Sequence, residues 1–120
     1  MPDPQIVVVD FRGPPGLAGA PGAWTPIAAS QGVLVGTRYG VDTTAAPVTL
    51  TLPALSLQQP GWEIAVCDLG GRANVNAIIF APTGGDQINN AAPNVNFTTA
   101  RGICRAVVNA AKSSWELILG

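Results

Sequence analysis

The sequence predicts an all-β protein with a short N-terminal strand, a collagen-like neck and a trimeric, β-sandwich or barrel-like C-terminal domain. Short apolar stretches separated by turn signals recur from residue 25 onward, a pattern typical of sandwiches and barrels. Glycine occupies every third position over residues 13–24, which is the signature of a triple helix. We therefore divide the chain into an N-terminal anchor segment at 1–12, a neck at 13–24 and a β-rich knob at 25–120.

The anchor segment contains a continuous apolar stretch formed by Ile6, Val7, Val8, Val9 and Phe11. A β-branched run of this kind predicts a strand that is buried on both faces. Because the neck would hold this strand away from the knob, we expect it to pair with another protein by strand addition. The alternative is that the segment folds back onto its own C-terminal domain.

The neck is predicted from the glycine period at Gly13, Gly16, Gly19 and Gly22, with three prolines between them. Only glycine fits where three extended chains crowd around one axis, so the period predicts a homotrimer. Four triplets cannot hold a trimer alone, because ordering each residue costs roughly 1–2 kcal/mol. Flanking domains must therefore supply most of the association. The alternative is a stiff Pro/Gly linker in a monomer.

The knob contains a series of predicted strands separated by turns. The strands are expected at 32–39, 48–52, 62–68, 74–80, 95–99, 103–108 and 115–119. Leu69-Gly70-Gly71-Arg72 is predicted as a hairpin-type turn, and Thr83-Gly84-Gly85-Asp86 as a second turn. The stretch 103–108 also fits one face of a helix, but no helix cap precedes it and a matching strand follows a short polar turn.

Alternating residues predict which side of each strand is buried. Threonine and leucine alternate over residues 49–52, so one face of that strand should be buried and the other exposed. The same logic places Trp62, Ile64 and Val66 on one face. The expected core comprises Leu50, Leu52, Trp62, Ile64, Val66, Ile78, Trp115, Leu117 and Leu119.

The composition restricts the class of protein. Hydrophobic residues make up 48% of the chain, which excludes a disordered tail. Charged residues make up only 11%, against about 25% in ordinary globular domains, so much of the surface is expected to be buried in an assembly or to belong to an extracellular fibre. A net charge of −1 gives no reason to expect nucleic acid as a partner. No secretory signal or membrane-spanning run is visible, so we expect assembly in a cytoplasm and no membrane partner.

The residues of catalysis and metal binding form no recognisable pattern. The chain has no histidine, which removes the commonest general base and the common nucleophilic triads. No spacing among the seven acidic residues singles out a glycosidase pair. Cys67 and Cys104 are predicted to be two buried thiols, with a disulfide as the alternative. We therefore expect no enzyme, no metal and no cofactor.

Several strand-and-turn motifs of the knob occur in a recognisable order. They are Trp62-Glu-Ile-Ala-Val-Cys-Asp68, Gly70-Gly71, Asn76-Ala-Ile-Ile, Gly84-Gly85-Asp86-Gln-Ile88 and Trp115-Glu-Leu-Ile. This order resembles a module often seen at the C-terminus of tailed-bacteriophage fibres and spikes. Collagen-like triplets just upstream are also frequent in those proteins. The resemblance covers roughly residues 44–120 together with the neck.

The resemblance implies a homotrimeric, β-rich virion appendage. Most such fibres are far longer than this chain, which favours a short head fibre or capsid decoration protein held on the major capsid protein or another virion protein. One alternative is a tail or baseplate fibre, or its receptor-contacting tip, with a host-surface glycan as a candidate partner. A second is a non-viral, collagen-stemmed trimeric binding module, although such heads are longer and richer in aromatic residues.

Overall fold

The structure is a computed structural model that describes residues 23–91 and 93–120. The predicted anchor segment at 1–12 and the four neck glycines, Gly13, Gly16, Gly19 and Gly22, lie outside the described residues. Within the described residues the all-β prediction is confirmed, since they form ten strands, one short 3-10 helix and no α-helix.

The strands belong to two sheets. In chain order they are β1 (Thr25–Ile27), β2 (Gln31–Gly32), β3 (Arg38–Val41), β4 (Val48–Thr51), β5 (Glu63–Asp68), β6 (Ile78–Ala81), β7 (Gln87–Ile88), β8 (Val95–Phe97), β9 (Ile103–Val108) and β10 (Ser114–Leu119), with the 3-10 helix at Leu55–Leu57. The six-stranded sheet has the order β1-β3-β5-β9-β10-β7, and the four-stranded sheet has the order β2-β4-β6-β8. The first eight strands therefore alternate strictly between the two sheets.

Most neighbouring strands in this first part of the chain are parallel. β1, β3 and β5 pair in parallel in one sheet, and β2, β4 and β6 do the same in the other. The chain thus winds around the core and adds one strand to each sheet per turn. Thr25 is the register partner of Tyr39, and Tyr39 is the partner of Val66. Successive windings of the chain around the core therefore contain different numbers of residues, which is why the sequence shows no repeat of constant length.

The last two strands form an antiparallel hairpin whose register runs from Val108–Trp115 to Cys104–Leu119. Its turn is held by Asn109, whose Oδ1 accepts hydrogen bonds from the backbone N–H of Ser113 (2.9 Å) and Ser114 (3.3 Å). β9 also pairs antiparallel with β5, and β10 pairs parallel with β7. The predictions of strands at 103–108 and 115–119 are confirmed.

Both sheets pack their inner side chains into a single hydrophobic cluster. Its members from the predicted core are fully buried, namely Leu50, Leu52, Ile64, Val66, Ile78 and Trp115. Leu117 packs against the cluster but is only partly buried. Trp62 and Leu119 are 46% and 69% exposed, so their placement in the core was wrong. Trp62 precedes β5 in a turn closed by its N–H to the Gln59 carbonyl, which interrupts the alternation that begins at Ile64.

Three predicted local features differ from the structure. The stretch 32–39 is not one strand, because Gly36 adopts a φ of +80° in a turn between β2 and β3. The strand expected at 74–80 begins only at Ile78, after a turn in which the N–H groups of Val75 and Asn76 donate to the Arg72 carbonyl. The glycine-rich turn at 69–72 joins strands of different sheets rather than a hairpin. In each of these places the chain crosses from one sheet to the other, which the local sequence pattern did not indicate.

Candidate interaction surface

The six-stranded sheet carries apolar side chains on its outer face as well as on its inner face. Successive residues of a strand point to opposite sides, so the residues between the buried positions of β3, β5, β9 and β10 point away from the core. In register they form three rows: Gly40–Cys67–Ile103, Arg38–Ala65–Arg105–Ile118 and Glu63–Val107–Glu116. We call these residues, together with Trp24, Pro26 and Leu69 beside them, the apolar outer face.

Several large side chains of the apolar outer face are open to solvent. Ile103 and Ile118 are 40% and 41% exposed, and Leu69 is 49% exposed. Ala65 lies buried between them, and Cys67 and Val107 are half-buried. Contiguous exposed apolar surface of this kind marks interaction sites on soluble proteins.

The charged side chains of the apolar outer face are paired within the chain. The Arg105 guanidinium lies 3.3 Å from the Glu63 carboxylate. The Arg38 guanidinium stacks over the Trp24 ring, with 4.1 Å between Cζ and the ring centroid. The Glu116 carboxylate accepts a hydrogen bond of 3.3 Å from the Asn90 side chain. Arg105 and Glu63 therefore neutralise each other's charge, whereas Arg38 contacts an aromatic ring and Glu116 a neutral amide.

Gly40 allows two large side chains to close over one end of the apolar outer face. A Cβ atom at this position would lie 3.0 Å from Leu69 Cδ2 and 3.4 Å from Trp24 Cβ. The second of these side chains belongs to the last residue of the predicted neck. The apolar outer face therefore begins where the neck is predicted to end.

Asp68 holds the loops at this end of the sheet in place. It lies at the end of β5 and is buried. Its Oδ1 accepts hydrogen bonds from the N–H groups of Gly71 (3.1 Å) and Arg72 (3.3 Å). Its Oδ2 accepts from Ala73 (3.0 Å) and Arg101 (2.9 Å). The carboxylate thus fastens the loop that carries Leu69 to the loop before β9, a structural role that the sequence reasoning missed although an aspartate at a strand end before Gly-Gly signals such a turn.

Other turn residues have similar structural roles. Asp86 Oδ2 accepts a hydrogen bond of 2.9 Å from the Leu55 N–H, and the predicted turn at 83–86 is confirmed, with the Asp86 N–H donating to the Thr83 carbonyl. Asn89 Oδ1 accepts a hydrogen bond of 2.9 Å from the Leu117 N–H. Part of the amide-rich composition is therefore used to connect loops to strands.

The two cysteines lie on opposite faces of the six-stranded sheet. Cys104 is paired in register with Val66, and Cys67 with Ile103, so one thiol points into the core and the other onto the apolar outer face. Both are free thiols, and the disulfide alternative is wrong. Burial raises the pKa of Cys104 to about 11. Burial, together with the nearby Asp68 carboxylate, also raises the pKa of Cys67, which is only half-buried.

The described residues also form two surface clefts. The exposed Trp62 ring forms one of about 240 Å³ with Val35, Gly36 and Glu63. The other, of about 270 Å³, lies beyond the open end of the hairpin. Its lining includes Asn89, Asn96, Phe97, Thr99, Leu117 and Leu119. Leu119 is therefore exposed because it borders a cleft instead of filling the core.

The described part of the chain contains neither a cluster of metal ligands nor a membrane-spanning helix. No three His, Cys, Asp or Glu side chains in residues 23–91 and 93–120 lie close enough together to hold a metal ion. Over the same residues, no helix is both long and apolar enough to cross a membrane. The predicted anchor residues and neck glycines precede these residues and stay predictions.

Comparison with known proteins identifies no family for this chain. No family model matches it, and no curated protein matches it. The resemblance to phage fibres and spikes therefore rests on its strand and turn motifs and on the glycine period before them.

Proposed function

We propose that this chain is a structural virion protein of a tailed bacteriophage, a short homotrimeric head fibre or capsid decoration protein anchored by its N-terminal segment. In this proposal residues 1–12 bind the major capsid protein or another virion protein, residues 13–24 form a collagen-like neck, and residues 25–120 form the knob. The protein is made in the host cytoplasm, carries no cofactor and is not an enzyme.

The observation that carries the proposal is the glycine period placed directly before a β domain. A triple helix requires three chains, and a β domain at its end supplies the association that four triplets cannot. The described strands begin at Thr25, one residue after the last predicted triplet. The order of anchor, neck and knob in the sequence thus fits a short trimeric fibre.

The surface of the knob supports the same proposal. The chain has few charged residues, and those on the apolar outer face are paired with one another or with neighbours in the chain. Such a surface is suited to burial against protein. Three motif residues have structural roles, which suits a structural protein. Asp68 and Asp86 accept backbone hydrogen bonds from loops, and Trp115 is buried in the core.

Native mass spectrometry of the full chain tests the trimer. We expect a species of about three times the 12.2-kDa chain mass at micromolar concentration. Gly16→Val and Gly19→Val should disorder the neck, because a side chain does not fit at a triple-helical axis, and Ala18→Val is the matched control outside the glycine positions. A stable monomer in the unaltered chain would overturn the trimer.

Labelling of virions tests the location. An antibody against residues 25–120, applied to particles of the phage that encodes the chain, should label the capsid in negative-stain images. Deletion of residues 2–12 should abolish binding to particles that lack the native protein. Full decoration by the truncated protein would move the anchor to the knob, and unlabelled particles would overturn the virion role.

One observation favours the receptor-contacting tip as a second candidate function. Trp62 is exposed in an apolar cleft with Val35, Gly36 and Glu63, and an exposed aromatic ring offers a stacking surface to a sugar. If the chain is a tip, Trp62→Ala should abolish adsorption to host cells while Leu57→Ala, a change at another exposed apolar residue, leaves it unaltered. Equal adsorption by both variants would remove this candidate.

A further inference from the structure

We infer that the apolar outer face is the surface through which three copies of this chain contact one another, with its Trp24 end nearest the shared axis. The inference rests on the trimer proposed above and names the surface that forms it. It follows from where the preceding chain enters the fold, from the pairing of charges on the face, and from the contrast with the other sheet.

The entry point of the chain places this face near the axis. Residues 1–22 precede the described structure, which begins beside Trp24. In a collagen-type neck the three chains lie tightly around one axis, so the last residue of the final triplet lies close to that axis in every copy. The ring of this residue stacks with Arg38, and its Cβ lies over Gly40. Both are residues of the apolar outer face.

The chemistry of the face suits a second copy of the same chain. From its Trp24 end the row Gly40–Cys67–Ile103 contains no charged side chain, and Pro26 extends it onto β1. The Arg105–Glu63 pair lies one row away and is already formed within the chain. Association along the uncharged row would thus remove apolar area from water without burying an unpaired charge there, which is the costly case.

The outer face of the four-stranded sheet provides the contrast. Its central row is Thr49–Ile79–Asn96, and the next row includes Thr51 and Ala81. The Thr49 N–H also donates a hydrogen bond of 2.8 Å to the side-chain oxygen of Ser30. Ile79 is the one large apolar residue in these two rows, and hydroxyl and amide groups lie on either side of it, as expected of a sheet surface in contact with water.

The decisive experiment introduces charge onto each outer face of the full chain. Ile103→Asp combined with Ile118→Asp should convert the trimer to a monomer, with the mass falling about threefold. Both side chains are exposed in the single chain, so the variant should keep the far-UV circular dichroism of the wild type. Ile79→Asp places the same change on the four-stranded sheet and should leave the trimer intact.

The native thiol on the face gives a second readout that does not depend on the folding of the aspartate variant. Cys67 should react with maleimide at least about tenfold more slowly in the trimer than in wild type diluted to the monomer, because reaction at a covered position requires local opening. The thiol of Ile79→Cys, on the other sheet, should react equally fast in both states. Cys104 lies in the core and should stay unreactive in both proteins. Each modified thiol is identified by peptide mass spectrometry.

The outcomes separate this inference from the proposed function. A monomeric wild type overturns both. A trimeric wild type whose aspartate variant also stays trimeric, or whose Cys67 reacts as fast in the trimer as in the diluted monomer, overturns only the assignment of the face. A trimeric wild type with a protected Cys67 and a folded monomeric variant supports the assignment, provided that Ile79→Asp remains a trimer.

Discussion

The two sheets cover the same core but present different outer faces. The four-stranded sheet displays Thr49, Thr51 and Asn96, whereas the six-stranded sheet displays Ile103 and Ile118 around a paired arginine and glutamate. Since both inner faces meet in one cluster, the stability of the chain does not explain the difference. The apolar outer face therefore points to a contact outside the chain, while the polar face reflects contact with water.

The largest expected effect tests whether the core is shared by the two sheets. Trp115→Ala should lower the free energy of unfolding by about 3–5 kcal/mol and unfold both sheets in one transition, measured by urea denaturation with circular dichroism. Trp115→Phe should cost less, because the buried Nε1 has no hydrogen-bond partner to lose. Trp62→Ala is the exposed control, expected below about 1 kcal/mol. Two separate transitions in Trp115→Ala would show that the sheets are independent.

The next effect concerns the loops that border the apolar outer face. Asp68→Ala removes the acceptor of four backbone N–H groups and should cost at least about 2 kcal/mol, because hydrogen bonds to a charged group are stronger than average. Asp68→Asn keeps one acceptor oxygen and should cost less. Hydrogen exchange should increase at Gly71, Ala73 and Arg101 in both variants. Asp42→Ala, at an exposed aspartate that bonds only to Thr44 among the described residues, is the control and should change little.

A third effect tests the burial of Cys104, on the inner face of the six-stranded sheet, by changing the pH. The unfolded Cys104 thiol ionises near its ordinary pKa of 9.0, whereas the folded thiol keeps its proton up to about 11. This contribution to stability is complete below pH 9 and falls by about 1.4 kcal/mol per pH unit as the pH rises from 9 to 11. Wild type should therefore lose its advantage over Cys104→Ala in this range, as measured by urea unfolding. A difference that does not change with pH would contradict the burial of this thiol.

The smallest effect probes the ion pair on the apolar outer face. A double-mutant cycle with Glu63→Gln and Arg105→Gln should give a coupling energy of about 0.2–1 kcal/mol at protein concentrations low enough to dissociate the trimer, the range of exposed ion pairs, and the coupling should fall as salt is added. In the trimer the coupling should be larger and less sensitive to salt, since the pair would be covered. Equal coupling in both forms would mean that the pair stays in water.

Local sequence patterns were sufficient to predict several of the strands and much of the core. The Thr–Leu alternation over 49–52 identified β4, and the stretches at 103–108 and 115–119 gave the hairpin strands. Alternation also identified Leu50, Ile64 and Val66 as buried. Each of these predictions depends on a property of neighbouring residues, which a single sequence displays directly.

The pairing of the strands could not be predicted in the same way. Leu50 pairs with Phe80 although β5 and the loops on either side of it separate the two residues in the sequence. Nothing near either residue specifies that partner. Glycine-rich turns such as 69–72 occur both in hairpins and in crossings between sheets. Trp62 was misplaced because alternation was extended through a turn. The apolar outer face was missed because its residues, Arg38, Ala65, Arg105 and Ile118, come from four strands and adjoin only in the sheet.

The strand order of the six-stranded sheet has a consequence for how the chain is made. β9 and β10 lie between β5 and β7, so the ribosome must synthesise the chain through Leu119 before β7 can find a neighbour in its sheet. Until β9 is made, the strand β5 has an unpaired edge. The sheet therefore cannot form by adding its strands in the order of synthesis. A chain truncated before residue 103 would lack β9 and β10, which connect β5 to β7.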